Sequence, residues 1–373
     1  MRRMLLPLAL VASPAFAAVT QGPPNAPYEP AWENQTRAPA LPDTAVQATP
    51  FAGPLDRPWG IAALPDGSFL VTEKPGRMRL VGRDGSLSEP IRGLPEVDAR
   101  SQGGLLDVTV SPNFAQDRRV FWTYAKPMGG GLVATAAAQG VLSPDGTELT
   151  QVADIFVQNP PSPSTKHYGS RILVAPDGAL FVTTGEHSDA PARELAQDPN
   201  ATWGKIVRLG SGGPEIWSLG HRNIQGAAFD AQGRLWAVEH GPRGGDELNL
   251  IERGANYGWP VVSYGLNYSG SPVGIGEPRA EGFVEPVYYW DPVIAPGGMD
   301  IYGGSLFPDW QGDLLIAGLQ AEGLVRVKLE GDRVVGEERI LEGLGRVREV
   351  EELSDGSLLI LTDAGGIQRV TPG

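Results

Sequence analysis

The sequence predicts an all-β protein, a six-bladed β-propeller of four-stranded antiparallel blades. Three observations predict it: turn-forming residues are spread along the whole chain, one strand-turn-strand pattern returns six times, and the copies are too unevenly spaced for a solenoid. The 50 glycines and 34 prolines among 373 residues favour short strands joined by tight reversals over long helices. A hydrophobic share of 41% is enough for a large core. No apolar run reaches the roughly 18 residues that a membrane-spanning helix needs.

Each copy is an apolar run, a turn built on Asp, Asn or Gly, and a second apolar run. The pattern occupies residues 59–73 (WGIAALPDGSFLVTE), 105–125 (LLDVTVSPNFAQDRRVFWTYA), 170–186 (SRILVAPDGALFVTTGE) and 224–240 (IQGAAFDAQGRLWAVEH). It returns at 303–319 (GGSLFPDWQGDLLIAGL) and 347–363 (VREVEELSDGSLLILTD). Copies begin about 45 to 80 residues apart, room for four strands and a loop of variable length. Insertions between the third and fourth and between the fourth and fifth copies enlarge the end of the channel over which loops between blades gather, so a site is expected there.

Residues 1–17 read as an export signal: Arg2 and Arg3 make a basic start, an apolar stretch follows, and Ala15 and Ala17 offer small residues for cleavage. Residues 18–50, rich in Pro, Ala, Asn and Gln without sustained periodicity, read as an extended arm lying on the body. Residues 51–373 form the propeller, the catalytic domain. Export implies a periplasmic protein.

The absence of cysteine excludes disulfides, iron–sulfur clusters, thiolate zinc and a cysteine nucleophile. Thirty basic residues stand against 44 acidic, a formal charge of −14 that becomes −16 once Arg2 and Arg3 are removed with the signal. With no basic cluster, nucleic acid is not an expected partner. The chain carries no nucleophile elbow, phosphate loop, dinucleotide fingerprint, HExxH helix or regular EF-hand.

What remains is concentrated. Residues 220–226 (GHRNIQG) lead into 241–260 (GPRGGDELNLIERGANYGWP), where a bent glycine-rich backbone precedes Asp246 and Glu247. Such a turn aims carbonyl oxygens at a hard cation such as calcium, or is simply a solvated loop. All four histidines, His167, His187, His221 and His240, lie in or within a few residues of the third and fourth copies, separated by 20, 34 and 19 positions, too far for a local helical metal pair. His167 precedes a strand behind a Pro/Ser-rich loop and is either a general base or a structural histidine. Arg346 and Arg348 alternate along a strand and so share a face that would clamp carboxylates or meet solvent. Arg222, beside Asn223, would polarise a carbonyl or hold a loop.

Together these motifs resemble the soluble aldose sugar dehydrogenases that use pyrroloquinoline quinone (PQQ), relatives of soluble glucose dehydrogenase. The resemblance runs from about Leu55 to Thr371 through SQGGLLDVTVSP, KHYGSRILVAPDG, SLGHRNIQG, EHGPRGGDELNLIERGANYGWP, IAPGGMDIY and GRVREV. It implies PQQ lying over the broad end of the propeller and oxidation of an aldose at C1 to the lactone, with electrons passed to an unidentified acceptor. It implies His167 as the base for the C1 hydroxyl, with Gln102 in the same reacting space and Arg222 and Asn223 on the quinone. It also implies Arg346 and Arg348 on PQQ carboxylates, the carbonyls of Gly241 and Pro242 on a Ca2+ that grips PQQ, and Glu247 with the Tyr257 carbonyl on a second Ca2+.

Three positions depart from soluble glucose dehydrogenase: Lys166 stands where it has Asp beside the histidine, His240 where it has Gln, and Gln320 is the nearest match to a PQQ-contacting Lys. His240 and Gln320 are therefore counted with the cofactor-binding set. A calcium-dependent lactonase or esterase, and a non-catalytic ligand-binding propeller, are the other readings of the same motifs. The signal reading predicts that the exported protein begins at about Ala18; intact mass of the periplasmic fraction checks this, and retention of Met1 in a cytoplasmic fraction would refute it.

Overall fold

The computed structural model describes residues 18–188 and 191–373, so the export signal expected over residues 1–17 lies outside the described residues. Six antiparallel sheets surround a central axis. Their innermost strands are Pro58–Ala63, Leu105–Val110, Gly169–Val174, Ile224–Phe229, Pro296–Ile301 and Val347–Glu352. Each touches the next and the last touches the first, which closes the ring and makes the chain the six-bladed propeller that its repeats predict. Helix is confined to short pieces such as Phe114–Asp117 and Arg193–Gln197. Five sheets have four strands; the first has three, and residues 87–91 cover its outer edge through a bridge from Val81 to Leu87 and the Ile91 N–H on the Met78 carbonyl.

The ends of the chain meet in the sixth blade. Val46–Ala52 is its outermost strand and pairs with Ile367–Pro372, so that the last strand of the chain is covered on both sides. The end of the stretch expected as an arm is thus already strand. Its alternation is weak because an outermost strand buries little of either face. Earlier in the same stretch, the backbone N–H groups of Asn25 and Ala26 donate to the Asp291 carboxylate at 2.8–2.9 Å, and Gln35 donates to the Pro286 carbonyl at 2.9 Å.

Apolar side chains of adjacent blades interleave between the sheets. Trp122, Met78, Leu70 and Leu105 fill one such layer, and Trp236, Trp290, Leu314 and Val325 another. Nearer the axis, each innermost pairing carries a bulge towards the same end. The shifts fall between Pro58 and Ile61, Leu105 and Val108, Ile224 and Gly226, Pro296 and Met299, and Val347 and Glu349. In the third blade the bulge lies between Val182 and Thr184 on the paired strand. A bulge leaves one N–H outside the ladder and re-aims the side chains beside it. Threonine hydroxyls take up these groups: Thr72, Thr123 and Thr183 accept from the N–H of Gly60, Asp107 and Arg171 at 2.9, 3.0 and 2.9 Å. The same hydroxyls donate across to the next blade, at the carbonyls of Leu106, Ser170 and Ile224.

Arg171 crosses the channel itself. Its Nη1 lies 2.9 Å from Asp107 and 2.6 Å from Glu349, its Nε and Nη2 donate to the Gln225 carbonyl at 3.1 and 2.8 Å, and its guanidinium covers the Trp59 ring at 5.0 Å. One side chain thereby ties five blades. Burial raises the carboxyls of Asp107 and Glu349, Glu349 to about 7, against the pull of Arg171. Arg171→Ala leaves both carboxyls enclosed without their cation and is expected to cost about 3–5 kcal/mol of unfolding free energy. Denaturant titration checks it; a loss under about 0.5 kcal/mol, the scale of an ordinary surface substitution, would show that the guanidinium is not a brace.

Candidate active site

The segments singled out by sequence converge where the innermost strands begin, beside the bulges. His167 lies just before the third innermost strand with φ of 44°, a left-handed conformation that a non-glycine residue holds only when its surroundings impose it. Two contacts impose it: the His167 N–H donates to Gln102 Oε1 at 2.7 Å, and its Nδ1 lies 2.8 Å from Glu186 Oε1. Gly185 makes the approach feasible, because a Cβ there would sit 1.9 Å from the His167 carbonyl oxygen. With Nδ1–H donating to a carboxylate, Nε2 is left as the basic nitrogen. Burial, then the charges of Arg222 and Lys166, hold the imidazole pKa well below 6.5. Burial raises the Glu186 carboxyl, with Arg222 pulling the other way, and its Oε2 is enclosed without a hydrogen-bond partner.

Arg222 and His221 point to opposite sides of one backbone turn. His221 goes down: its Nε2 is 2.8 Å from Ser218 Oγ, its Nδ1 2.8 Å from Glu239 Oε1, and its ring stacks on Tyr257 at 4.6 Å. Glu239 Oε2 accepts the Arg222 backbone N–H at 2.6 Å. Ser218 and His221 have no exposed surface, so this hydroxyl–imidazole–carboxylate file is a scaffold under Arg222 and does not present a nucleophile. The Arg222 side chain rises into the cleft, where Nη1 donates to the carbonyls of His240 and Gly241 at 3.0 and 2.7 Å and the guanidinium covers Trp259 at 5.2 Å. Its Nε has no hydrogen-bond partner and lies 4.0 Å from Glu186. Asn223 Oδ1 accepts from the Gly169 N–H at 3.0 Å, tying the fourth blade to the third.

A second basic group gathers on the opposite blades. Arg346 precedes the sixth innermost strand and Arg348 lies within it, and both reach Asp363 at 3.0 Å; Arg348 Nη1 also donates to Gln225 Oε1 at 2.9 Å. Lys74 belongs here too: burial, then Arg348 and Arg57, lower its ammonium to about 8. Gln320 is exposed at the same rim, next to Leu319, whose carbonyl accepts from Arg346. The His240 imidazole is held neutral by burial and then by Arg222, His167 and Arg348, and its Nε2 is enclosed without a partner.

The glycine-rich turn divides its two acids. Asp246 is fully buried and accepts the N–H groups of Gly241, Ile294 and Ala295 at 2.8, 2.8 and 2.7 Å, so it is a backbone brace. Glu247 faces other acceptors: burial and then Glu239 push its carboxyl well up, and neighbouring Asn249 Oδ1 is enclosed without a donor. Tyr257 anchors the same region, its hydroxyl donating to the Leu250 carbonyl at 2.6 Å. Among the described residues no three His, Asp or Glu side chains are placed to hold a metal together, so a cation here would need carbonyl and amide oxygens.

The family model for glucose / sorbosone dehydrogenase matches residues 55–369. The chain belongs to this family. It is 38% identical over 343 residues to the aldose sugar dehydrogenase of Escherichia coli K12, covering 85% of this chain and 91% of that protein. The solved apo-form of soluble aldose sugar dehydrogenase from Escherichia coli superposes with a TM-score of 0.83 at 38% identity, covering 88% of this chain and all (100%) of that one. The PQQ-bound aldose sugar dehydrogenase from Streptomyces coelicolor superposes with a TM-score of 0.74 at 28% identity, over 89% and 99% of the two chains.

As a member of the glucose / sorbosone dehydrogenase family the chain is an oxidoreductase enzyme. The fold brings Gln102, His167, Arg222 and His240 into one neighbourhood, with Arg346 and Arg348 joined by Asp363 beside it. Sequence reasoning missed Glu186, Lys74, Asp363 and Arg193. Glu186 had a signal, since a carboxylate ends the apolar run at TTGE, but only the strand pairing shows that it returns to His167. The cause of the His167 shift predicts its titration: at pH 6 to 8 the imidazole stays neutral, gaining its proton only as pH falls well below 6.5. NMR of the ring nitrogens checks this; a midpoint at or above 6.5 would show that burial does not govern it.

Proposed function

We propose that the enzyme oxidises aldose sugars at C1 to the lactone, with PQQ and Ca2+ as cofactors. The observation that carries the reading is the enclosed His167–Glu186 pair beside Arg222, a neutral base backed by a carboxylate, within a ring of polar atoms that lack partners. Enclosed Arg222 Nε, His240 Nε2 and Trp259 Nε1 are too many polar groups for a site meant to stay without a ligand. Cationic Lys74, Arg346 and Arg348 face them with Asp363 as their shared counter-ion. This donor set suits a flat, oxygen-rich tricarboxylate such as PQQ. When bound, PQQ supplies an ortho-quinone that takes up hydride.

His167 Nε2 takes the proton of the C1 hydroxyl, and Glu186 on Nδ1 stabilises the imidazolium that forms. Gln102 holds the His167 backbone, so that the base keeps its place as its charge changes. Arg222 and Asn223 orient the quinone, Arg346 and Arg348 hold its carboxylates, and His240 and Gln320 complete the cofactor-binding set. The carbonyls of Gly241 and Pro242 are assigned to the Ca2+ at the cofactor, Glu247 and the Tyr257 carbonyl to a second Ca2+. Lys166 in place of an acid adds a positive charge near the base and helps to keep it neutral. The electron acceptor is assigned to the periplasm with the enzyme, and the acidic surface speaks against nucleic acid.

Reconstitution with PQQ and Ca2+ followed by dye reduction across aldoses tests the reading. Wild type is expected to turn over only with both present, and His167→Ala to keep PQQ while losing at least about a hundredfold in rate. Dye reduction by His167→Ala near the wild-type rate would overturn the assignment of the base; no aldose-dependent reduction by wild type would overturn the function.

A further inference from the structure

A cleft of about 200 Å³ opens beside the reacting histidine, between Glu186, Arg193, Arg222, Trp259, Asn267 and Tyr268. Arg193 reaches it from the short helix Arg193–Gln197. That helix is tethered from below: fully buried Lys205 donates from Nζ to the carbonyls of Leu195, Ala196 and Trp203 at 3.0, 2.8 and 2.7 Å. The Arg193 guanidinium covers Trp259 at 5.4 Å, on which Arg222 also rests, and its Nη1 donates to Asn267 Oδ1 at 3.0 Å.

The charge of Arg193 is only loosely matched among the described residues. Glu194, on an exposed side chain, lies 3.9 Å from Arg193 Nε, and that enclosed Nε has no hydrogen-bond partner among the described residues. Glu186, the one acid among the described residues of the cleft, already faces His167 and lies 4.0 Å from Arg222 Nε. Two guanidiniums share an indole within reach of the base, and Tyr268, 72% exposed, offers an open ring at the mouth. A planar guanidinium with an unused N–H beside an aromatic face is complementary to a sugar that carries an anion.

We propose that Arg193 forms an anion subsite, so that the enzyme prefers aldoses bearing a carboxylate or phosphate at the end of the molecule away from C1. The inference rests on the function proposed above and names its substrate class. The reaction is unchanged: the C1 hydroxyl gives its proton to His167, bound PQQ would supply the two-electron acceptor, and the anion takes no part and stays paired with Arg193. A bidentate guanidinium contact in an enclosed site is expected to favour the anionic sugar by about tenfold or more.

The test is calorimetric binding of glucose, glucuronate and glucose 6-phosphate to reduced holoenzyme, with turnover measured in parallel. Wild type should bind at least one of the two anions about tenfold more tightly than glucose. Arg193→Ala should bring that anion down to the level of glucose, Arg193→Lys should retain part of the advantage, and the sugar that responds identifies the carboxylate or the phosphate. An anion-to-glucose ratio equal in wild type and Arg193→Ala overturns the subsite, as does an Arg193→Ala effect confined to the PQQ requirement, which would make Arg193 a cofactor ligand. Arg193-dependent binding without oxidation of any aldose would remove the proposed function and leave the subsite standing; oxidation of glucose without an Arg193-dependent preference would do the reverse.

Discussion

The propeller depends on how charge is held inside its channel. Six sheets placed around an axis leave a narrow space lined by the first strand of each, and here that space contains Asp107, Asp300, Glu349 and Glu351 with Arg171 as the neighbouring cation. Carboxylates so enclosed repel one another and are costly to ionise. Arg171 answers both difficulties by pairing with Asp107 and Glu349, and it draws the Gln225 backbone and the Trp59 ring onto the same group. An apolar contact would bring two blades together; a guanidinium, with its fan of donors, fixes several at once and in one orientation.

The same economy shapes the broad end. Bulges release backbone N–H groups exactly where side chains must turn toward the axis, and threonine hydroxyls absorb those groups while joining one blade to the next. The bulged strand ends are therefore tied to one another below the level of the cleft. Above that level the pattern reverses: Glu186 Oε2, Arg193 Nε, Arg222 Nε, His240 Nε2 and Trp259 Nε1 are enclosed and unpaired. Other enclosed atoms without hydrogen-bond partners, among them Trp122 Nε1 and Tyr168 Oη, are scattered through the body, whereas Glu186, Arg193, Arg222 and Trp259 line one cleft, the arrangement that the proposed ligand site requires. It also explains the neutral His167, because the burial that leaves those atoms without water disfavours charge on the ring.

Much of this was legible in the residues. Turn signals and the returned apolar pattern determined six blades, since a strand-turn-strand unit with one buried face must stack on another. His167, Arg222, Asn223 and the GPRGGDE turn stood out because their motif spacing is specific, and Arg346 and Arg348 because alternate residues on a strand share a face. The local code said less about the arm: Val46–Ala52 shows no clear alternation, and its role as the closing strand depends on Ile367–Pro372 at the far end of the chain. The glycine-rich turn alone did not separate Asp246 from Glu247, which only the family resemblance singled out; in the fold Asp246 is consumed by three backbone N–H groups.

What the sequence by itself determined is the set of pieces: strand periodicity, turns, and the family motif with its candidate base and cations. Those are properties of residues close together in the chain, set by backbone sterics and burial of alternate side chains. Only the tertiary structure decided the partnerships, because they join segments far apart: Glu186 to His167, Asp363 to Arg346 and Arg348, Arg171 to Asp107 and Glu349, and Arg193 to Trp259. The strength of such contacts and the protonation of His167 depend on desolvation, and desolvation is a property of the closed ring that no local stretch possesses.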